Sequence, residues 1–135
     1  MTGNRSALVD WHALIRSRDA RGLDALLADD VVLHSPVVHT PLAGKPIVRK
    51  YLHAALQVFV NDTFRYVREL EGPTDAVLEF QVEIDGITVN GVDMLRWNAD
   101  GHIVDFKVMV RPLKAVNLIH QKMAALLAAS SPAGG

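Results

Sequence analysis

The chain has 135 residues, which suffices for one domain with a sizeable hydrophobic core and is too short for two domains of ordinary size. Half of its residues are hydrophobic and 21% are charged, a composition that excludes intrinsic disorder. The 14 Lys and Arg residues nearly balance the 15 Asp and Glu residues, so the net charge of -1 provides no attraction to nucleic acid or to an anionic membrane. We therefore expect a single domain over residues 1–135 with neither of these partners.

The chain contains no cysteine, which excludes disulfides and thiolate chemistry. Its N-terminal segment carries charges at Asp10, Arg16 and Arg18, so it lacks the apolar core of a signal peptide. No apolar run approaches the ~18 residues that a membrane-spanning helix needs. These features predict a cytoplasmic protein.

Three segments of the first half have the spacing of helices. The first begins at Ser6 and repeats apolar residues every three or four positions. A short second helix has Asp19 as its N-cap and ends near residues 29–30. The third begins at Lys45, because Pro46 fits the first turn of a helix, and it ends near residue 61.

Strand patterns frame and follow these helices. Pro36 limits the first strand to about residues 31–35. From residue 64 the apolar period changes to two, which predicts four strands over residues 64–71, 76–84, 87–97 and 102–111. A last helix is predicted over residues 115–129, with flexible tails at residues 1–5 and 130–135.

This order of elements predicts an α+β fold, with an antiparallel sheet curved over the N-terminal helices. The bowl between the two layers is the natural place for a pocket. The side chains expected to line this pocket are mostly large and apolar: Trp11, Ile15, Ser35, Tyr51, Phe59, Phe80, Leu95, Trp97, Phe106 and Val108.

Three segments resemble the nuclear transport factor 2-like superfamily, in its SnoaL-like polyketide cyclase and ketosteroid isomerase branches. They read LIRSRDARGLDALLADDVVLHSPV, PLAGKPIVRKYL and GVDMLRWNADGHIVDFKVMV, and the resemblance extends from Leu8 to about Val116. It implies a cone-shaped, strongly curved antiparallel sheet packed over N-terminal helices, the cystatin-like α+β barrel. It implies no single activity, because this fold hosts isomerases, cyclases, hydrolases, dehydratases and binding modules.

The resemblance also implies roles for individual positions. A ketosteroid isomerase has a tyrosine in its first helix, an aspartate base at the end of its first strand, and an aspartic acid on its penultimate strand that donates a hydrogen bond to the oxyanion. Without gaps, these positions hold Trp11, Ser35 and Asp93. Since only the last is retained, the isomerase mechanism with its usual base is not expected.

Asp93 is a carboxylate in an otherwise apolar strand. It shares the parity of Leu95 and Trp97, so it faces the bowl if they do. Burial would raise its pKa and keep it neutral, as an acid or a hydrogen-bond donor to a carbonyl group. The alternative is a structural carboxylate, satisfied by a buried histidine or a backbone N–H, or exposed by a bulge at Gly91.

His34, His39 and Tyr51 are the candidates for a second catalytic group beside Asp93. Strand alternation lets only one of His34 and Ser35 face the bowl, and the family register makes it Ser35. His39 lies on a loop and is freer to reach the pocket, and Tyr51 carries a hydroxyl that needs a partner if buried. For each histidine the alternative is a partly exposed side chain without a catalytic role.

The sequence contains no zinc motif, phosphate-binding loop, nucleophile elbow or dinucleotide fingerprint, so we expect neither a metal nor a cofactor. Two functions stay open: a cofactor-free isomerase, cyclase or dehydratase of a small apolar carbonyl compound, or a non-catalytic ligand-binding or dimerisation module. Asp105, Lys107 and Arg111 are expected on the outer face of the sheet, where a homodimer would assemble. An Arg111–Asp93 pair acting on an epoxide is a remoter alternative.

Overall fold

The structure is a computed structural model that describes residues 6–130. The helices are α1 (Leu8–Ser17), α2 (Leu23–Leu26), α3 (Lys45–Phe59) and α4 (Leu113–Ser130), with a 3-10 helix over Ala20–Gly22. The strands are β1 (Leu27–His34), β2 (Leu42–Ala43), β3 (Arg65–Glu71), β4 (Asp75–Ile84), β5 (Ile87–Trp97) and β6 (Ile103–Arg111). The predicted flexible tails fall outside the described residues, except for Ser130 at the end of α4.

The six strands form one curved, unclosed sheet in the order β2-β1-β6-β5-β4-β3. The four long strands β3 to β6 are antiparallel neighbours, as their alternating pattern predicts. β1 pairs with β6 in the parallel direction, with Leu33 beside Phe106, so the sheet is mixed at this edge. The α+β class is confirmed, and the parallel pairing is an addition to the predicted antiparallel sheet.

The first strand is longer than its sequence suggests. β1 begins at Leu27, so Asp29 and Asp30 lie within a strand rather than at the end of a helix. The pairing with β6 shifts register between Leu27 and Val32, and both aspartates are exposed there, which explains how a strand accommodates them. The predicted loop after this strand also contains β2, whose Ala43 pairs with Val32.

The predicted starts of the helices agree well with the structure. Asp19 caps the 3-10 helix, since its carboxylate accepts a hydrogen bond from the backbone N–H of Arg21 at 3.1 Å. α3 begins at Lys45 with Pro46 in its first turn. α4 begins at Leu113, slightly earlier than predicted. No helix within residues 6–130 is long and apolar enough to span a membrane.

A two-residue turn sets the register of β5. Asp85 and Gly86 have φ angles of 51° and 79°, as a type I′ hairpin requires, and they place Ile84 opposite Ile87. Alternation from this turn directs Val89, Asp93 and the rest of their parity towards the helices. The core therefore lies between this face of the sheet and helices α1, α3 and α4.

Candidate functional site

Asp93 is the only buried residue with an ionisable side chain within residues 6–130, at 7% exposure. It lies in the middle of the sheet, with Leu78 of β4 on one side and Val108 of β6 on the other. Burial raises the pKa of its carboxyl from 3.8 to about 7, although a hydrogen bond from Tyr66 lowers that pKa in part. A substantial fraction of the carboxyl is therefore neutral at pH 7.

A chain of hydrogen bonds leads from α1 to Asp93. The Tyr66 hydroxyl, on β3, donates to Asp93 Oδ2 at 2.6 Å. Trp11, on α1, donates its Nε1–H to the Tyr66 hydroxyl oxygen at 2.8 Å. Burial, followed by the negative charge of Asp93, raises the pKa of Tyr66 well above its usual range, so Tyr66 keeps its proton.

Tyr66 is a residue of the candidate site that the sequence pattern did not single out. Its position in β3 shares the inward parity of Phe64, and this pattern was the available signal. It pairs with Phe80 of β4, which in turn pairs with Gly91 of β5, so these three residues lie in a row across the sheet. From that row the Tyr66 side chain reaches Asp93, two positions further along β5.

Gly91 makes this row possible. A Cβ atom at Gly91 would lie 2.5 Å from Cζ of Phe80 and 2.6 Å from the carbonyl oxygen of Met109. The absence of a side chain thus leaves space for the Phe80 ring, which stacks with Phe64 at 5.4 Å and meets Phe59 edge-on at 5.5 Å. These rings form an aromatic wall beside the carboxyl.

Asp93 borders a small apolar cavity of about 40 Å³, which we name the inner cavity. Asp93 is the only ionisable residue among residues 6–130 that lines it. Six of the residues predicted for the pocket line the inner cavity: Trp11, Ile15, Phe59, Phe80, Phe106 and Val108.

A larger cavity of about 220 Å³, the outer cavity, lies between α3, α4 and the segment that follows β1. Ser35 and Tyr51, both predicted for the pocket, line it. His120 of α4 lines it too, although no sequence pattern marks this residue. The two cavities adjoin, because they share four lining residues: Leu52, Ala55, Phe59 and Val108.

The two histidines predicted as catalytic groups lie elsewhere. His34 and His39 line a surface depression that also includes Lys107. The depression adjoins the outer cavity, with which it shares Ser35, Pro36, Val38 and Val108, but neither histidine lines the inner or the outer cavity. The Nε2 atom of His34 is 3.5 Å from Oδ2 of Asp105, on the neighbouring strand. The alternation that brings Ser35 to the outer cavity turns His34 to the other side of β1.

Two residues predicted for the pocket do not line it. Leu95 and Trp97 have the inward parity of Asp93, but they lie further along β5, where they are packed into the hydrophobic core. Trp97 Nε1 is buried without a hydrogen-bond partner in the described part of the chain. Parity gave the correct face of the sheet, and the position along the strand decides which inward residues reach the cavity.

One further alternative finds no support in the geometry. Arg111 is exposed on the opposite parity to Asp93, and its Nη1 donates to Asn90 at 3.3 Å, so no Arg111–Asp93 pair forms. Within residues 6–130, no group of three or more His, Asp or Glu side chains could hold a metal ion.

Similar proteins are consistent with this architecture. The steroid delta-isomerase of Pseudomonas aeruginosa is 42% identical, covers 91% of this chain and 90% of its own, and superposes with a TM-score of 0.86. A bacterial protein with a cystatin-like fold from Silicibacter pomeroyi is 32% identical over 88% of this chain and 83% of its own, with a TM-score of 0.81. A de novo designed protein with a curved β-sheet, 16% identical, shares the fold alone, over 85% of this chain and 94% of its own, with a TM-score of 0.68.

No protein of curated function matches the sequence. The model of the SnoaL-like domain family matches residues 8–106, from the first residue of α1 into β6. This match contains Trp11, Tyr66 and Asp93, whereas α4 with His120 lies beyond it. The chain belongs to the SnoaL-like domain family and has the nuclear transport factor 2-like fold.

Proposed function

We propose that this protein binds a small apolar carbonyl compound, and that the neutral Asp93 carboxyl donates a hydrogen bond to its carbonyl oxygen. The observation that carries the proposal is a buried carboxyl, with a pKa of about 7, at the wall of an apolar cavity. Its Oδ2 accepts from Tyr66, whereas its Oδ1 has no hydrogen bond within residues 6–130. A free carboxyl oxygen beside an apolar cavity suits a ligand with one polar atom.

The same hydrogen bond promotes enolisation. When a proton leaves the carbon next to a carbonyl group, negative charge develops on the carbonyl oxygen, and a donor in an apolar site stabilises that charge strongly. Isomerisation, cyclisation and dehydration of carbonyl compounds can all proceed through such an enol or enolate. The 42% identity to a steroid delta-isomerase supports a carbonyl substrate for this chain.

Enolisation also needs a base, and we assign this role to His120. Ser35 occupies the position where the family resemblance places an aspartate base, and within the described part of the chain no carboxylate lines the outer cavity. His120 is the one imidazole among the residues that line either cavity, and it makes no hydrogen bond with the described residues. An imidazole is suited to proton transfer near neutral pH.

Hydrogen exchange at a simple ketone tests this function. Cyclohexanone in deuterium oxide exchanges its α-protons when it enolises, and proton NMR follows the loss of signal. We expect wild-type protein to accelerate exchange, Asp93→Asn and His120→Ala to lower the rate by at least tenfold each, and Asp105→Asn and His34→Ala to leave it unchanged. Exchange that is equally fast with Asp93→Asn would contradict the role of the carboxyl.

A non-catalytic binding protein is the second candidate. It is favoured by the presence of a single carboxylate, Asp93, among the residues that line the two cavities. In that case cyclohexanone binds to the wild type, and Asp93→Asn weakens binding, but neither protein accelerates exchange. Binding measured alongside exchange therefore separates the two functions.

We also propose that the outer face of the sheet forms a homodimer. Leu70 and Met109 are 60% and 50% exposed on this face, and Met109 pairs with Val92 in the register of β5 and β6. Charges of both signs lie on the same face, including the Arg96–Asp75 ion pair, so two copies related by a two-fold axis can pair opposite charges. Analytical ultracentrifugation should give a dimer that Met109→Glu dissociates and that Val9→Glu, on exposed α1 surface, leaves intact.

A further inference from the structure

The hydrogen-bond chain at Asp93 has a fixed direction. The indole Nε1–H of Trp11 can only donate, so the Tyr66 hydroxyl oxygen must be the acceptor of their 2.8 Å contact. The Tyr66 proton then needs an acceptor of its own. Among residues 6–130, Asp93 Oδ2 is the only one that it meets, at 2.6 Å.

This direction determines where the proton of a neutral Asp93 lies. Because Oδ2 accepts from Tyr66, the arrangement in which the Trp11 N–H, the Tyr66 hydroxyl and Oδ2 are all paired keeps Oδ2 as the carbonyl oxygen of the carboxyl group. The proton then resides on Oδ1, which has no hydrogen bond to the described residues. We infer that Trp11, through Tyr66, places the proton of neutral Asp93 on Oδ1 and thereby restricts this neutral form of the site to ligands that present a hydrogen-bond acceptor.

The inference rests on the proposed function and specifies its ligand class. Without the Trp11 N–H, the Tyr66 hydroxyl could turn and accept a proton from Oδ2, which would leave Oδ1 as an acceptor for an alcohol or an amide N–H. With the N–H in place, the protonated Oδ1 can donate a hydrogen bond to the carbonyl oxygen of a ketone, an aldehyde or an ester. Trp11 is thus a positioning residue, since it acts on the ligand through Tyr66 and Asp93.

The second tryptophan can be replaced, so that a test of the indole N–H acts on Trp11 alone. Trp97 is as buried as Trp11, at 2% and 3% exposure respectively, and both lie in the same hydrophobic cluster. Its Nε1 has no hydrogen-bond partner among residues 6–130, so loss of this N–H breaks none of the bonds seen there. The Trp97→Phe variant therefore leaves Trp11 as the only tryptophan of the chain and gives the background for the test.

The experiment replaces the remaining Trp11 by 3-benzothienylalanine, which has the shape of tryptophan but no N–H. Infrared spectra of protein labelled with [4-¹³C]aspartate are recorded at about pH 5, where Asp93 is neutral. The spectrum of Asp93→Asn is subtracted from each, which leaves the carbonyl bands of Asp93. With Trp11 we expect one carbonyl band, lowered by the bond from Tyr66. With the analogue we expect a second band at higher wavenumber, from molecules whose carbonyl oxygen is Oδ1. A single, unshifted band with the analogue would overturn the inference.

Ligand selection is measured with cyclohexanone and methylenecyclohexane, which differ in the presence of the acceptor oxygen. We expect the preference of the Trp97→Phe protein for the ketone to fall about tenfold when the Trp11 N–H is removed, a change of ~1.4 kcal/mol. An unchanged preference would contradict the selection. If neither compound binds to the wild type, the proposed function fails, and the infrared bands of the ligand-free protein still decide where the proton lies.

Discussion

The inner and outer cavities hold their polar groups in opposite ways. At the inner cavity, Asp93 is buried and its Oδ2 is fixed by a hydrogen bond from Tyr66, which Trp11 holds in turn. At the outer cavity, Tyr51 and His120 retain contact with solvent and make no hydrogen bond within residues 6–130. Buried polar groups cost free energy unless they are paired, whereas groups near solvent can be hydrated.

This difference assigns separate tasks to the two cavities. The fixed carboxyl of the inner cavity is suited to recognise one atom of a ligand, since its geometry is preorganised. The outer cavity, with about 220 Å³ of mostly apolar space, is suited to hold the body of that ligand and to admit it. Substitutions at the inner cavity should therefore change both the free energy of unfolding and the activity. Substitutions at the solvent-exposed surface should change the free energy of unfolding little.

The largest expected effect is the pH dependence of stability caused by Asp93. Its pKa is about 7 in the folded protein and 3.8 in the unfolded chain, so between these values the folded state binds the proton that the unfolded state has lost. Stability therefore falls as the pH rises from about 4 to about 7, by on the order of 4 kcal/mol. Above pH 7 this contribution is constant. Urea denaturation at each pH measures the change.

Asp93→Asn should remove this pH dependence, whereas Asp105→Asn should retain it. Asp19, whose pKa a hydrogen bond from Arg21 lowers to about 2, acts in a different interval, because its contribution is lost only as the pH falls below about 4. If the stability of the wild type falls no more than that of Asp93→Asn between pH 4 and pH 7, the carboxyl is ionised in the folded protein at little cost in free energy.

Gly91→Ala should produce the next largest effect. The added Cβ would overlap with the Phe80 ring and with the backbone oxygen of Met109, and a backbone atom cannot move aside as a side-chain end can. Overpacking of this kind costs about 1–3 kcal/mol. Gly72→Ala is the control, because its Cβ would lie at an ordinary 3.6 Å from the Asp75 oxygen. Equal denaturation midpoints for the two variants would contradict this close packing.

Tyr66→Phe tests the fixed bonds directly. It leaves Trp11 Nε1 and Asp93 Oδ2 without partners, and an unpaired buried group costs about 1–3 kcal/mol. Because the bond from Tyr66 lowers the pKa of Asp93, its removal should raise that pKa further. Carbon NMR of the labelled carboxyl measures the shift, and a pKa that stays constant or falls would mean that Tyr66 does not stabilise the charged form.

The smallest effect is expected at the surface depression. His34→Ala and His39→Ala should each change the free energy of unfolding by less than about 0.5 kcal/mol, as for most surface substitutions. Neither should alter the affinity for cyclohexanone, because neither residue lines the two cavities. A tenfold loss of affinity in either variant would place the outer end of the ligand site at the depression.

The sequence pattern predicts the class of the fold, the long strands and the inward face of β5, because these follow from local periodicity and from the Asp85–Gly86 turn. It does not predict the early start of β1 or its parallel pairing with β6, because both depend on contacts between distant segments. Asp29 and Asp30 are poor strand formers, and only the register shift beside β6 accommodates them.

The site was predictable to a similar extent. Asp93 stands out as a carboxylate in an apolar strand, and strand alternation correctly separates Ser35 from His34. The bond between Tyr66 and Asp93 crosses β4, so it depends on two strand registers and on the irregularity between Tyr66 and Arg68. His120 reaches the outer cavity only through the packing of α4. Local sequence does not show that Tyr66 reaches Asp93 or that His120 reaches the outer cavity.

The proposed function requires that a neutral Asp93 donates a hydrogen bond to a carbonyl ligand. Carbon NMR titration of the Asp93 carboxyl, with and without saturating cyclohexanone, tests it most directly, and Asp93→Asn assigns the signal. We expect a pKa of about 7 in the free protein, as burial requires, and a higher pKa in the complex, because the ligand binds the protonated form. A pKa near 3.8 in the free protein, or a pKa that falls when cyclohexanone binds, would contradict it.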